Sequence, residues 1–188
     1  MQENRMHLTP RLRTIMQQVP EGARLADIGT DHALIPTALL RRGVIQSAIA
    51  SDLREGPLDS AARTAKQFEV EHKLSLRLGG GLQTVKPDEA DTIVIAGMGG
   101  ETIIAILQAA PWTKDGRHTL LLQPMTKAAD LRHWLADNGY TFTPIEGSSW
   151  YQAHGQVVQY YLDPRNFLDE QSVFMFENLG FDSSVHTV

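Results

Sequence analysis

Leu25-Ala26-Asp27-Ile28-Gly29-Thr30-Asp31-His32-Ala33 joins an apolar run to a helical pattern through a single glycine. A short apolar run breaks at Gly29, and a helical pattern then runs from Ala33 to Arg42, so a strand turns directly into a helix. Glycine at the break can adopt backbone angles closed to other residues and lets a ligand approach the main chain. The helix start beyond it carries backbone N–H groups without helical partners. Asp27, at the strand end, suits a ligand ammonium better than a pyrophosphate. A nicotinamide site would need G-x-G-x-x-G, and here Asp31 and Leu34 stand at the second and third glycine positions. Asp31 would repel a pyrophosphate, so a charged but cationic cofactor, S-adenosyl-L-methionine, fits the turn.

Outward from this turn, strands and helices alternate. The pattern predicts a helix over Pro10 to Val19 and a strand over Arg24 to Ile28. A second strand follows over Ser47 to Ser51, a helix over Asp59 to Glu71 and a third strand over Leu74 to Leu78. Thr92 to Ala96 is a continuous apolar run, as expected of a strand buried on both faces. Glu101 to Ala110 reads as a helix, His118 to Gln123 as the fifth strand, and Ala128 to Asn138 as a helix closed by Gly139. Thr141 to Glu146 and Gln156 to Leu162 then read as two strands joined by a loop. Alternating βα steps imply an α/β domain with a mainly parallel sheet. Five such steps and a strand pair are the order of a doubly wound, Rossmann-like class I methyltransferase with seven strands and helices on both faces. The expected domain covers 1–162, with 163–188 as a C-terminal tail.

Ligands of open α/β sheets bind in the crevice at the carboxyl ends of the strands, so the residues just past each strand are the candidates. Asp52, after the second strand, can accept hydrogen bonds from both ribose hydroxyls, with Leu53 beside it. Alone, Asp27 and Asp52 also read as strand-end or capping residues. Gly79-Gly80-Gly81 follows the third strand and opens space for an adenine. Ala96-Gly97-Met98-Gly99-Gly100 follows the fourth, and Gln123-Pro124 the fifth. Cofactor contacts are thus expected at Asp27, Gly29, Asp31, Asp52, Leu53, Gly80, Gly81, Ala96 and Gly97. Substrate contacts are expected at Met98, Gly99, Gln123 and Pro124.

The net charge of −5 points away from a protein that is basic throughout. Any polyanion must be held by a local patch, and Arg11, Arg13, Arg41, Arg42, Arg54 and Arg63 concentrate positive charge in the first third of the chain. There is no cysteine, which excludes disulfides and thiolate metal sites. The histidines show no metal-ligand spacing, so no metal is expected. No run approaches the roughly 18 apolar residues of a membrane span, and the expectation is a cytoplasmic protein without a membrane partner.

Read in order, Leu8-Thr9-Pro10-Arg11-Leu12, the Asp31-His32-Ala33 turn, Ala48-Ile49-Ala50-Ser51-Asp52, Arg77-Leu78-Gly79, Ile95-Ala96-Gly97-Met98-Gly99-Gly100 and Leu122-Gln123-Pro124 resemble the TrmK family. Its members are tRNA (adenine-N1)-methyltransferases. The resemblance covers roughly residues 8 to 162 and implies methylation of N1 of an adenosine, nucleotide 22, in tRNA. It departs at Gly80, where the family usually has aspartate, and at Met125, where it usually has asparagine. The family usually continues into a helical domain implicated in tRNA binding, and here residues 163–188 follow.

N1 of adenine carries a free lone pair, so its alkylation needs alignment and charge stabilisation more than a strong base. Asp31 is the expected catalytic carboxylate, its alternative being a helix N-cap. His32 is its expected partner, its alternative being a structural histidine. Trp150 and Tyr151, expected in the loop between the last strands, can stack on a base or serve packing. Rival readings are a small-molecule methyltransferase and an S-adenosylmethionine-binding module of weakened activity.

Overall fold

A computed structural model describes residues 6–140, 143–144, 150–152 and 157–161, with side chains up to residue 140 except that of Pro10. Helix α1 (Pro10–Gln17) opens with Thr9, whose side chain accepts from the Leu12 N–H, and with proline in its first turn, where no N–H is missed. The core alternation is β1 (Arg24–Ile28), α2 (Leu34–Arg41), β2 (Ser47–Asp52), α3 (Glu55–Gln67), β3 (Leu74–Leu78), β4 (Thr92–Gly99), α4 (Gly100–Gln108), β5 (Thr119–Thr126) and α5 (Ala128–Asp137). The first five strands lie in the order β3-β2-β1-β4-β5, all parallel.

Strand alternation divides the core in two. Leu25, Ala48, Ala50, Val94 and Leu121 lie under α1, α2 and α3. Ala26, Ile28, Ile49, Ile93, Ile95 and Leu122 face the opposite layer, built on Ile103 and Leu107 of α4 and Leu131 and Leu135 of α5. This is the expected Rossmann-like fold, here with five parallel strands flanked by helices on both faces. The strand order reverses between β1 and β4, which opens a crevice above their carboxyl ends.

Four boundaries differ from the sequence reading by three or more residues, one of them the end of α3, at Gln67 rather than Glu71. α3 starts at Glu55 rather than Asp59, because Gly56-Pro57 reads as a break while proline is tolerated within a first helical turn. β4 and β5 run on to Gly99 and Thr126, with the pairing shifted around Gly97; a bulge of this kind accommodates Pro124 within a strand. Beyond α5, the two expected strands correspond to three short ones among the described residues. They are β6 (Thr143–Pro144), β7 (Trp150–Gln152) and β8 (Val157–Tyr161), with β8 parallel to β5 and the other two pairings antiparallel. Trp150 and Tyr151 therefore stand in a strand and not in a loop. Residues 163–188 lie outside the described residues.

The loop after β3 is held by one ion pair. Arg77 reaches the two carboxylate oxygens of Glu89 at 2.8 and 2.8 Å and donates to the Thr84 carbonyl at 2.5 Å. The guanidinium beside it holds the Glu89 carboxyl down at about 2. Arg77→Ala leaves both acceptors without that partner and is expected to cost about 1–2 kcal/mol, lowering Tm by roughly 2–8 °C. Because the Glu89 pKa is depressed, this stabilisation is present above its ordinary value near 4.5 and is lost as pH falls toward 2. Thermal unfolding of variant and wild type should converge across that window.

Candidate functional site

The turn after β1 is an unusual piece of backbone. Gly29, Asp31 and Ala33 have φ of +73°, +51° and +50°, so three alternate residues are left-handed within five positions. The Gly29 and Thr30 N–H groups are both anchored on the Ser51 carbonyl, at 2.8 and 3.0 Å, which ties the turn to the end of β2. The φ of Gly29 disfavours any side chain, and a Cβ there would lie 2.1 Å from the Met98 methyl, so Met98 would have to move as well. Ala33, not Asp31, is the N-cap of α2, and it makes no side-chain cap bond. The capping alternative for Asp31 is thereby removed, and its exposed carboxylate stands 3.6 Å from His32 Nε2.

Above the turn lies a cleft of about 590 Å³, open at the carboxyl ends of β1, β2, β3 and β4. Gly29, Asp31, Asp52, Leu53, Gly80, Gly81, Ala96, Gly97 and Met98 line it, with Gln83 and Ile106. A smaller recess of about 210 Å³ adjoins it through Gly29, Asp31, Ala96 and Gly97, and is lined also by Asp27, His32, Arg11 and the first residues of α2. The nine expected cofactor residues thus line these two adjoining spaces, Asp27 only the smaller and Asp52, Leu53, Gly80 and Gly81 only the larger. Gly99 packs against Thr126. Gln123 is buried and acts behind the wall, as does the neighbouring Pro124 carbonyl that it contacts.

Two carboxylates at strand ends set the electrostatics. Asp27 is 6% exposed and accepts a hydrogen bond from the Thr30 hydroxyl at 2.5 Å. Burial outweighs that bond and pushes its carboxyl up to about 6. Burying an anion in this way is costly unless a cation arrives to pair with it. Asp52 is 8% exposed and accepts from the Arg54 N–H at 3.0 Å. Leu53 is 74% exposed, an apolar side chain held out into the cleft.

Arg11 is the residue whose place the sequence reading did not find. α1 carries it into the recess, where Nη1 donates to Gln123 Oε1 at 2.5 Å. The same oxygen accepts from the Gly97 N–H at 3.2 Å, and Gln123 Nε2 donates to the Pro124 carbonyl at 2.9 Å. The amide of Gln123 is therefore fixed, and it fixes Arg11. Gly97, at φ +79°, forms the bulge that turns Met98 toward Gly29.

The profile of a methyltransferase domain family matches residues 8–146. The chain belongs to the methyltransferase domain family. Within it the chain is TrmK-like. It is 39% identical over 137 residues to the tRNA (adenine(22)-N(1))-methyltransferase of Bacillus subtilis strain 168, which covers 73% of this chain and 58% of that relative. The chain thus spans little more than half the length of its curated relative. The crystal structure of the B. subtilis m1A22 tRNA methyltransferase TrmK is 32% identical with a TM-score of 0.74, over 96% of this chain and 73% of that one. A Streptococcus pneumoniae protein solved in complex with S-adenosyl-L-methionine is 30% identical with a TM-score of 0.70, over 92% and 87%. The methyltransferase domain's described residues include no group of three His, Cys, Asp or Glu side chains able to hold a metal ion. Among them no helix is long and apolar enough to cross a membrane.

Proposed function

We propose that this chain is an S-adenosylmethionine-dependent methyltransferase that methylates N1 of an adenosine, nucleotide 22, in tRNA. The observation that carries the reading is the cleft where buried Asp27 and Asp52 flank the left-handed turn at Gly29. A buried carboxylate raised to about 6 fits a cationic ligand, and the absence of a side chain at Gly29 fits a ligand lying on the backbone.

The assignment is by neighbouring chemistry. Asp27 takes the cofactor's ammonium, while Arg11 and the opening turn of α2 face its carboxylate. Asp52 takes the ribose hydroxyls. Leu53, Gly80, Gly81, Gln83 and Ile106 border the adenine. S-adenosylmethionine, when bound, supplies an electrophilic methyl group. The chain's own work is to align the target base and stabilise the charge it gains. Asp31 accepts from the exocyclic amino group of the target adenine, and His32 holds that carboxylate in place. Met98, with Gln123 behind Arg11 and Gly97, shapes the wall between cofactor and base. We assign the catalytic unit to residues 1–162, with 163–188 as a tail, in a cytoplasmic protein whose partner is tRNA.

Titration calorimetry with S-adenosylhomocysteine, paired with methyl transfer to a tRNA transcript, tests this reading. Asp52→Ala should weaken cofactor binding by about 1.5–3 kcal/mol, the value of hydrogen bonds to a charged group. Unchanged affinity removes Asp52 from the site. Gly80→Asp should tighten binding by roughly fivefold, the gain of one added hydrogen bond of about 1 kcal/mol. Gly80 has an ordinary φ of −86°, and a Cβ there meets nothing closer than Leu53 at 3.6 Å and Gln83 Oε1 at 3.8 Å, so the aspartate fits. If binding does not tighten, another residue already recognises the adenine.

A further inference from the structure

On the outer side of α1, away from the recess that Arg11 enters, lies a separate open groove of about 620 Å³ between α1 and α2. Its charged lining is Arg13, Arg41 and Arg42, and no carboxylate lines it among the described residues. All three arginines are exposed. Arg13 gives its Nε–H to the Leu8 carbonyl at 3.1 Å, Arg42 directs one nitrogen to the uncharged sulfur of Met16 at 3.9 Å, and Arg41 lies over the Phe68 ring at 5.1 Å. Neither Pro10–Gln17 nor Leu34–Arg41 contains a single aspartate or glutamate. In a chain of net charge −5, this is a local concentration of one sign.

Position at a helix end accounts for part of this, since arginines at the close of α2 complement its dipole. It does not account for Arg13, which sits in the middle of α1 and brings the third guanidinium to the same groove. α1 is eight residues long, roughly 12 Å at 1.5 Å per residue. It runs from the recess at Arg11 to the groove at Met16 and Gln17. Arg11 and Arg13, two positions apart, stand about 200° apart around the helix, so α1 offers one cation to the cleft and another to the groove. Guanidinium groups bind phosphates through paired N–H donors.

We propose that the α1–α2 groove is a docking site for the phosphate backbone of the RNA whose target base enters the cleft, a few nucleotides from that base. This rests on the tRNA reading above and adds to it the surface that holds the RNA. The occupant is an RNA backbone rather than a small anion, because the groove is broad and open and its guanidiniums are exposed.

The test uses the full chain, a fluorescently labelled tRNA transcript and anisotropy at several salt concentrations. The variant is Arg13→Gln with Arg42→Gln. The control is Arg117→Gln, which loses one positive charge from the Asp115 pair before β5. The double variant should bind the transcript about tenfold more weakly at low salt, with the slope of log K against log salt shallower by about 1–2. Its KM for tRNA should rise in parallel, while S-adenosylhomocysteine affinity stays within about twofold of wild type and shows that the fold is intact. The control should stay within about twofold in all three. Unchanged tRNA affinity and slope in the double variant overturn the proposal. So does binding of inorganic pyrophosphate that the two substitutions abolish while tRNA affinity stays put, since that marks a small-anion site. If the wild type methylates no tRNA yet binds the transcript through these arginines, the groove stands and the assigned substrate falls. If it binds no RNA, both fall.

Discussion

Asp27→Asn is expected to make the ligand-free protein more stable and the cofactor site worse. At pH 8 the wild-type carboxylate is ionised in a buried position, with its pKa raised from 3.8 to about 6. A raised acid pKa means that the native state binds more protons than the unfolded one between those values. Stability therefore falls as pH rises from about 4 to about 6 and stays at the lower level above. A shift of this size corresponds to roughly 2–3 kcal/mol. Asparagine keeps an acceptor for the Thr30 hydroxyl and carries no charge, so the variant should gain up to that amount at pH 8 and nothing near pH 4. Denaturant unfolding across pH measures the difference. The same variant should lose about 10–100-fold in affinity for S-adenosylmethionine, the loss of a hydrogen-bonded charge pair. Wild-type affinity should also fall about tenfold from pH 8 to pH 5, as Asp27 takes up a proton. A variant both less stable at pH 8 and unaltered in cofactor affinity would refute this role for Asp27.

The second large effect is expected at Asp31. Its φ of +51° is a conformation that asparagine tolerates better than most residues. Asp31→Asn therefore keeps the backbone and the size while deleting the charge. If the carboxylate stabilises positive charge that the base acquires only as it is methylated, kcat should fall by roughly 10²-fold or more with cofactor Kd little changed. Asp31 also borders both spaces of the cleft, so the split between kcat and Kd is what distinguishes catalysis from binding. Equal losses in both would make Asp31 a cofactor ligand only.

The parts legible in the sequence are those written locally. β1 and β3 fall at their expected residues because short apolar runs with sharp ends need no distant information. Asp27, Gly29 and Asp52 could be placed at the cleft because a parallel sheet brings its carboxyl ends together whatever the helices do. The start of α3 was misplaced because Gly56-Pro57 carries the same letters whether it breaks a helix or occupies its first turn. Arg11 illustrates the other limit. Its bond to Gln123 spans 112 positions, and nothing in the spacing of Leu8 to Leu12 tells which way α1 points its arginines. The proline start fixed the helix phase, and only the packing of α1 on the sheet directs Arg11 inward and Arg13 outward. Gln123 was likewise expected at the base pocket, whereas its burial makes it the support for Arg11 and for the bulge at Gly97.

The methylated nucleoside is measured directly by position-resolved mass spectrometry of tRNA. A transcript with adenosine at nucleotide 22 is incubated with the full chain and S-adenosylmethionine, beside one with guanosine there. N1-methyladenosine is expected at nucleotide 22 of the first transcript and none in the second, with formation falling roughly 10²-fold for Asp31→Asn. Absence of N1-methyladenosine at every protein concentration, together with methyl transfer to a small molecule in the same cleft, would contradict this expectation.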